Sequence, residues 1–161
     1  MQIRKSSIIE PACFMEQIDQ YMDRRYKTAW AILKNETDVA DAIQESITDG
    51  YEKRKTLRQP EYFGTWMLRI LINNCYQILR QYRKETYGEI PETGAEDSYL
   101  EDDGFKQLIR CVDEKYQLVL TLYYADECTV KEIAELLQMK ENTVKTWLAR
   151  GREQVRRYLD A

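Results

Sequence analysis

Trp66, Arg69, Asn73, Tyr76, Arg80 and Arg83 recur at steps of three or four residues. On a helix that spacing places them on one face, which then mixes cations, an amide and two aromatic rings. Rings stack on unpaired bases while arginines neutralise phosphates, so the face suits single-stranded nucleic acid. It suits equally an ordinary solvated face with two interfacial rings, and this stretch alone does not decide between them. A second set stands further on: Lys145, Arg150, Arg152, Arg156 and Arg157 against one acid, Glu153. Neutralising the phosphates of a duplex is the chemistry such a set can do.

Other chemistries lack their residues. The chain contains no histidine, the commonest general base and metal ligand. Cys13, Cys75, Cys111 and Cys128 lie far apart with no CxxC pair. They read as small buried hydrophobes in a reducing compartment, with Cys75 and Cys111 facing inward. There is no Gly-rich phosphate loop and no GxSxG. No metal or cofactor is expected, and no motif points to an enzyme. No apolar run approaches membrane-spanning length, and the opening MQIRKSSIIEPACF lacks a signal-peptide core. The expectation is a cytoplasmic protein without membrane insertion.

The elements that must position these residues are helical throughout. A chain of 161 residues, 43% apolar and 32% charged, can hold one medium domain or two small ones. Its net charge of −4 argues at first against nucleic acid, but the distribution matters more than the sum. Residues 85 to 104 hold eight acids and no base; without them 20 acids face 24 bases, a net of +4. Two mildly basic modules are thus joined by an acidic strip. Its glycines, proline and like charges predict an extended, poorly ordered linker spanning at most roughly 70 Å.

Before the strip, residues 1 to 15 read as a lead-in. A helix fits residues 15 to 34, with Ile18, Met22, Tyr26, Ala29 and Leu33 on one face. Thr37 can cap the next helix, 38 to 55, whose apolar stripe is Val39, Ala40, Ile43, Ile47, Gly50 and Tyr51. Asp41, Gln44, Glu45, Thr48 and Asp49 make its acidic outer face. KRKTLRQPEYFG is a basic connector with a proline turn. It leads into a helix over 62 to 84, with Met67, Ile70, Leu71, Asn74, Cys75, Ile78, Leu79 and Tyr82 inward.

After the strip, Phe105, Leu108, Ile109 and Val112 form one short stripe, and Tyr116, Val119, Leu120 and Tyr123 another. Then comes TVKEIAELLQMKENTVKTWLARGREQVRRYL. Thr129 and Glu132 have capping-box spacing. Ile133, Ala134 and Leu137 face inward, Met139 plugs a tight turn, and Val144, Leu148, Val155 and Leu159 face inward from a second helix. Two short helices with a small residue at their crossing describe a helix-turn-helix.

From about Ile18 to Leu159 the chain resembles the extracytoplasmic-function (ECF) sigma factors, the smallest members of the sigma-70 family. The resemblance rests on three blocks in order: DVADAIQES (38 to 46), TWMLRILINNCYQILRQYRK (65 to 84) and the helix-turn-helix block (129 to 159). It implies an all-α fold of two small helical domains, a region 2 bundle over 1 to 84 and a region 4 helix-turn-helix over 105 to 161, joined by an acidic flexible linker over 85 to 104. It implies that Asp41, Gln44 and Glu45 dock on the clamp helices of core RNA polymerase. Trp66, Arg69, Asn73 and Arg80, with the connector before them, would open the −10 element and hold the non-template strand. Thr143, Lys145, Thr146 and Arg150 would read the −35 element as duplex promoter DNA. An anti-sigma factor would hold the protein inactive until a signal releases it. The chain departs from the family pattern at Gln77, usually Asp; at Gln138 and Asn142, both usually Gly; at Trp147, usually Arg; and at Gly151, usually Ala. Two other readings compete: a free-standing helix-turn-helix regulator acting as a dimer on two-fold half-sites, and an interaction protein that imitates a sigma factor without touching DNA.

Overall fold

The computed structural model describes residues 10–85 and 104–161. The lead-in before residue 10 and all but the two ends of the acidic strip lie outside the described residues. The chain divides into two compact units, Met1–Gly94 and Ala95–Ala161. Among the described residues every regular element is a helix.

The first unit packs α1 (Pro11–Leu33), α2 (Glu36–Lys53) and α3 (Phe63–Glu85) against one another, with single 3-10 turns at Arg54–Thr56 and Pro60–Tyr62. Helix α1 begins before the expected residue 15. Proline at its first position has its φ already set and loses no helical hydrogen bond. The extra turn carries Phe14, which is fully buried. Asn35, not Thr37, caps α2: the Asp38 amide donates to Asn35 Oδ1 at 3.0 Å. Asn35 has the extended backbone that a cap needs, whereas Thr37 already lies inside the helix.

Phe14, Ile18, Leu57, Phe63 and Met67 form one cluster of the core, with Tyr21, Ile47, Tyr51, Trp66 and Ile70 packed against it. Phe14 meets the rings of Tyr51 and Phe63 edge-on at 5.7 and 5.9 Å. On α2 the buried residues are Asp38, Val39, Ala42, Ser46 and Gly50. Ala40, expected inward, is exposed. Small side chains at 42, 46 and 50 let neighbouring helices approach closely; a Cβ on Gly50 would stand 2.7 Å from Met67 Sδ. On α3, Leu68 and Ile72 are buried beside the expected Met67, Leu71, Asn74 and Cys75. The apolar arc is wide because α3 packs on both α1 and α2.

The second unit contains α4 (Gly104–Arg110), α5 (Glu114–Tyr124), α6 (Val130–Leu137) and α7 (Glu141–Asp160). Helix α5 is buried from Tyr116 through Leu122 and is the unit's central rod. Gln117 Nε2 donates to the carbonyls of Ile109 and Val112 at 3.1 and 2.9 Å, which satisfies the end of α4. Helix α6 opens with the expected capping box between Thr129 and Glu132. Gln138 takes the left-handed conformation, φ 53°, at the turn. A turn at that φ favours glycine; a non-glycine residue there costs roughly 1–2 kcal/mol.

Three expected positions differ. Cys111 is exposed, in the turn that closes α4. Leu137 is half-buried, and Leu136 takes the buried place. Leu159 is 68% exposed, because every residue of α7 from Arg156 onward projects past its packing partners.

Candidate functional site

Helix α3 presents the first stripe. Arg69, Asn73, Tyr76, Arg80 and Arg83 are all exposed along it. Partial burial of the ring, then the neighbouring Cys75, raises the Tyr76 phenol above its ordinary value. Trp66 departs from the expected outward placement. It is half-buried, its ring tilted against Phe63 at 6.2 Å, and it shares the core contacts. One edge of the indole therefore holds the fold while the remainder is open. Tyr62, 58% exposed in the 3-10 turn before α3, is a further exposed ring that was not singled out, although it lies four residues before Trp66 and continues the stripe's spacing.

Behind this stripe runs a polar wall. Asn74 is buried and its Nδ2 donates to Ser46 Oγ at 3.0 Å and to Asp49 Oδ2 at 3.1 Å. Asp49, expected on the acidic outer face, is half-buried and engaged here. The Tyr82 hydroxyl donates to the Asp38 carboxylate, 2.9 Å from both oxygens. These bonds tie α2 to α3 along one edge. Beside them lies a groove of about 480 Å³ lined by Asp38, Asp41, Glu45, Asn74, Gln77, Ile78, Gln81 and Tyr82. The structure thus brings Asp41 and Glu45 together on the α2 wall, with three carboxylates facing an uncharged α3 wall. Gln44 is exposed on the same helix but does not line the groove. Gln77, Gln81 and Tyr82 were not expected as part of it. The spacing of 74, 78 and 82 opposite 38, 41 and 45 was legible, but the pairing of the two helices was not.

In the second unit α7 carries the other stripe. Lys145, Thr146 and Arg150 are exposed and Thr143 is half-buried. The Thr146 hydroxyl donates back to the Asn142 carbonyl at 3.0 Å, which fixes its rotamer. Arg152 leans over the Tyr123 ring at 5.7 Å. Arg156 and Arg157 share Glu153, each at 3.6 Å in exposed pairs worth little stability. Trp147 turns toward α5 and meets the Tyr116 ring edge-on at 5.9 Å. Hydrogen bonding from Arg150, opposed by burial and helped by Lys115, holds the Tyr116 phenol below its ordinary value.

Among the described residues no group of three metal-binding side chains lies together, and no helix is long and apolar enough to cross a membrane.

Comparison with known proteins places both units. The sigma-70 region 2 family model matches residues 17–85, and the sigma-70 region 4 model matches residues 103–155. The RNA polymerase sigma factor SigV of Bacillus subtilis (strain 168) is 33% identical over 135 residues, covering 78% of this chain and 78% of that protein. The ECF RNA polymerase sigma factor SigW of the same strain is 28% identical over 165 residues, covering 91% and 88%. The structure is similar to that of the sigma factor RpoE from Bartonella quintana, solved in complex with the anti-sigma factor NepR. The TM-score is 0.74 at 15% identity, over 92% of this chain and 97% of that one. It is also similar to CnrH, solved in complex with the cytosolic domain of CnrY, with a TM-score of 0.67 at 16% identity over 98% of each chain. At such identities these likenesses bear on the fold alone. With both family regions matched in order and a curated relative one-third identical over most of its length, the chain belongs to the ECF subfamily of the sigma-70 family of RNA polymerase sigma factors.

Proposed function

We propose that this protein binds core RNA polymerase in the cytoplasm, brings it to specific promoters and initiates transcription there. The observation that carries this reading is a division of labour between two exposed stripes. One, on α3, joins arginines to rings and an amide; the other, on the second helix of a capped helix-turn-helix, is basic and aimed outward. Unpaired bases and duplex phosphates call for those two surfaces respectively.

In this reading Asp41 and Glu45, on the acidic groove, and Gln44, exposed on the same helix, meet the polymerase clamp. Arg69, Asn73 and Arg80, with the open edge of Trp66, hold the melted −10 strand. Thr143, Lys145, Thr146 and Arg150 contact the −35 duplex. The first unit, through about residue 84, does the docking and melting; the second, from about residue 105, reads the upstream element; the acidic segment between them repels free DNA. A lone helix-turn-helix buries little DNA and binds weakly. Tethering both units to one polymerase raises their effective concentration on the promoter. An anti-sigma factor is the expected regulator, as in the solved complex of RpoE with the anti-sigma factor NepR. No catalytic step belongs to this chain: it positions the polymerase and the strands. The dimeric-regulator reading leaves the α3 stripe without a role.

Run-off transcription tests the proposal, using core polymerase with and without the protein on the protein's own upstream region. A discrete transcript that needs both components is expected. If the same samples show neither transcript nor binding to core, the proposal is wrong.

A further inference from the structure

Arg25, on α1, is buried to 6% exposure. Taking a guanidinium out of water is costly, and an apolar side chain of its volume would fill the space without that cost. Arg25 makes contacts that an apolar side chain could not. Its Nη2 donates to the Gly64 carbonyl at 3.3 Å, in the first turn of α3. Its guanidinium also lies over the Tyr21 ring, 4.9 Å from the centroid. Gly64 sits against that pair. A Cβ there would stand 3.3 Å from Arg25 Nη2 and 3.4 Å from Tyr21 Cε1, so the glycine lets α1 close on the α3 backbone.

From Tyr21 the contacts run outward to the stripe. Tyr21 meets the Phe63 ring edge-on at 5.4 Å, and Phe63 meets Trp66 at 6.2 Å. Trp66 is the half-buried ring whose open edge belongs to the α3 stripe. It stands in the first turn of its helix, and helix ends open more readily than helix centres. The chain entering that turn comes from single 3-10 turns rather than from a long helix that would brace it. A ring already held in place stacks on a base without first losing rotamer freedom.

We propose that Arg25 and Tyr21 are positioning residues for strand opening. Together they pin the first turn of α3 and, through Phe63, set the Trp66 indole so that its open edge holds an unpaired base. Neither residue touches the strand. The inference rests on the strand-holding reading of the α3 stripe above.

The test is opening of a duplex carrying the protein's own upstream region, by core polymerase assembled with full-length variants. The readout is permanganate reactivity of thymines in the −10 region, with closed-complex affinity and urea midpoints measured on the same proteins. Arg25→Lys keeps the charge but loses the planar fork that reaches the carbonyl while lying on the ring. It is expected to lower reactivity about fivefold at wild-type closed-complex affinity. Tyr21→Phe keeps the ring and should open normally. Gly64→Ala displaces the pair while gaining helix propensity, so it should open less without a lower urea midpoint. In a Trp66→Ala background Arg25→Lys should reduce opening no further, whereas in an Asn73→Ala background it should act in full. Normal opening in Arg25→Lys and Gly64→Ala, alongside an impaired Trp66→Ala, would overturn the positioning role and leave the strand-holding reading intact. Opening that merely follows the urea midpoint, with Arg25→Lys and Trp66→Ala fully additive, would overturn it as well, because Arg25 would then act on stability alone. Normal opening in Trp66→Ala would overturn the strand-holding role of that ring, and the inference with it.

Discussion

Gly151 on α7 lies so close to Leu120 on α5 that a Cβ there would sit 2.7 Å from Leu120 Cδ1 and 3.0 Å from its Cγ. The glycine that looks like a defect in a recognition helix is therefore the point at which two helices touch. Replacing it with alanine should raise helix propensity by up to about 1 kcal/mol. Overpacking against Leu120, which is itself buried, costs typically 1–3 kcal/mol. We expect Gly151→Ala to destabilise the second unit by about 1 kcal/mol, read as faster hydrogen exchange in α5 and α7. In a Leu120→Ala background the same change should become neutral or stabilising. A stabilising Gly151→Ala in the wild-type background would show that the contact is slack.

This contact marks the limit of what the sequence could tell. Helical period, the Thr129 capping box and the inward places of Ile133, Val144 and Leu148 are local or periodic, and the structure agrees with each. The contribution of Gly151 depends on a residue 31 positions away, and no period encodes that. Trp66 is similar: spacing put it on the outer face, but a ring that wide also reaches Phe63. Ala40 and Ala42 are the same residue type two positions apart, so composition could not say which faces in. The packing of α3 decides it. Of the candidate site, the stripes of α3 and α7 were legible because each lies on one helix. The acidic groove was not, because it is built from two.

The half-burial of Trp66 separates two variants that would otherwise be tested alike. Trp66→Ala should cost the first unit about 2–3 kcal/mol in packing, short of the full range for a fully buried aromatic. Asn73 is exposed, so Asn73→Ala should leave stability within about 0.5 kcal/mol of wild type. Both should spare closed-complex binding and impair strand opening, seen as reduced permanganate reactivity of thymines in the −10 region. Asn73→Ala is the clean test. Normal reactivity in that variant would remove Asn73 from the melting face.

The groove between α2 and α3 allows docking to be separated from folding. Asp41 and Gln44 are exposed and make no described side-chain bond, so Asp41→Ala with Gln44→Ala should weaken core binding with an unchanged circular dichroism spectrum. Tyr82→Phe acts on the wall itself, since it removes the bonds to the largely buried Asp38 carboxylate. Bonds to a charged group contribute roughly 1.5–3 kcal/mol. That variant should lose stability of this order, measured by urea unfolding. Unaltered core affinity in the Asp41/Gln44 double variant would move the docking surface elsewhere.

Cys75 gives a pH dependence of definite sign. It is fully buried on α3, and burial pushes its thiol from 9.0 up to about 12. The folded pKa lies above the unfolded one, so the folded state favours the protonated thiol. Its stabilising contribution is complete below pH 9 and is lost as pH rises from 9 toward 12. At pH 10.5 the loss amounts to about 2 kcal/mol, from 1.36 kcal/mol per pH unit. Tyrosines and lysines titrate in the same window, so the measurement is a difference: urea midpoints of wild type and Cys75→Ala, at pH 8 and pH 10.5. The wild type should be the more stable at pH 8, and the gap should shrink by about that amount at pH 10.5, because alanine has no proton to lose. The Cys75 peptide should likewise resist iodoacetamide at pH 8 until the first unit unfolds, while the exposed Cys111 reacts at once. A constant gap between the two proteins, with prompt alkylation of Cys75, would mean that water reaches the α3 core.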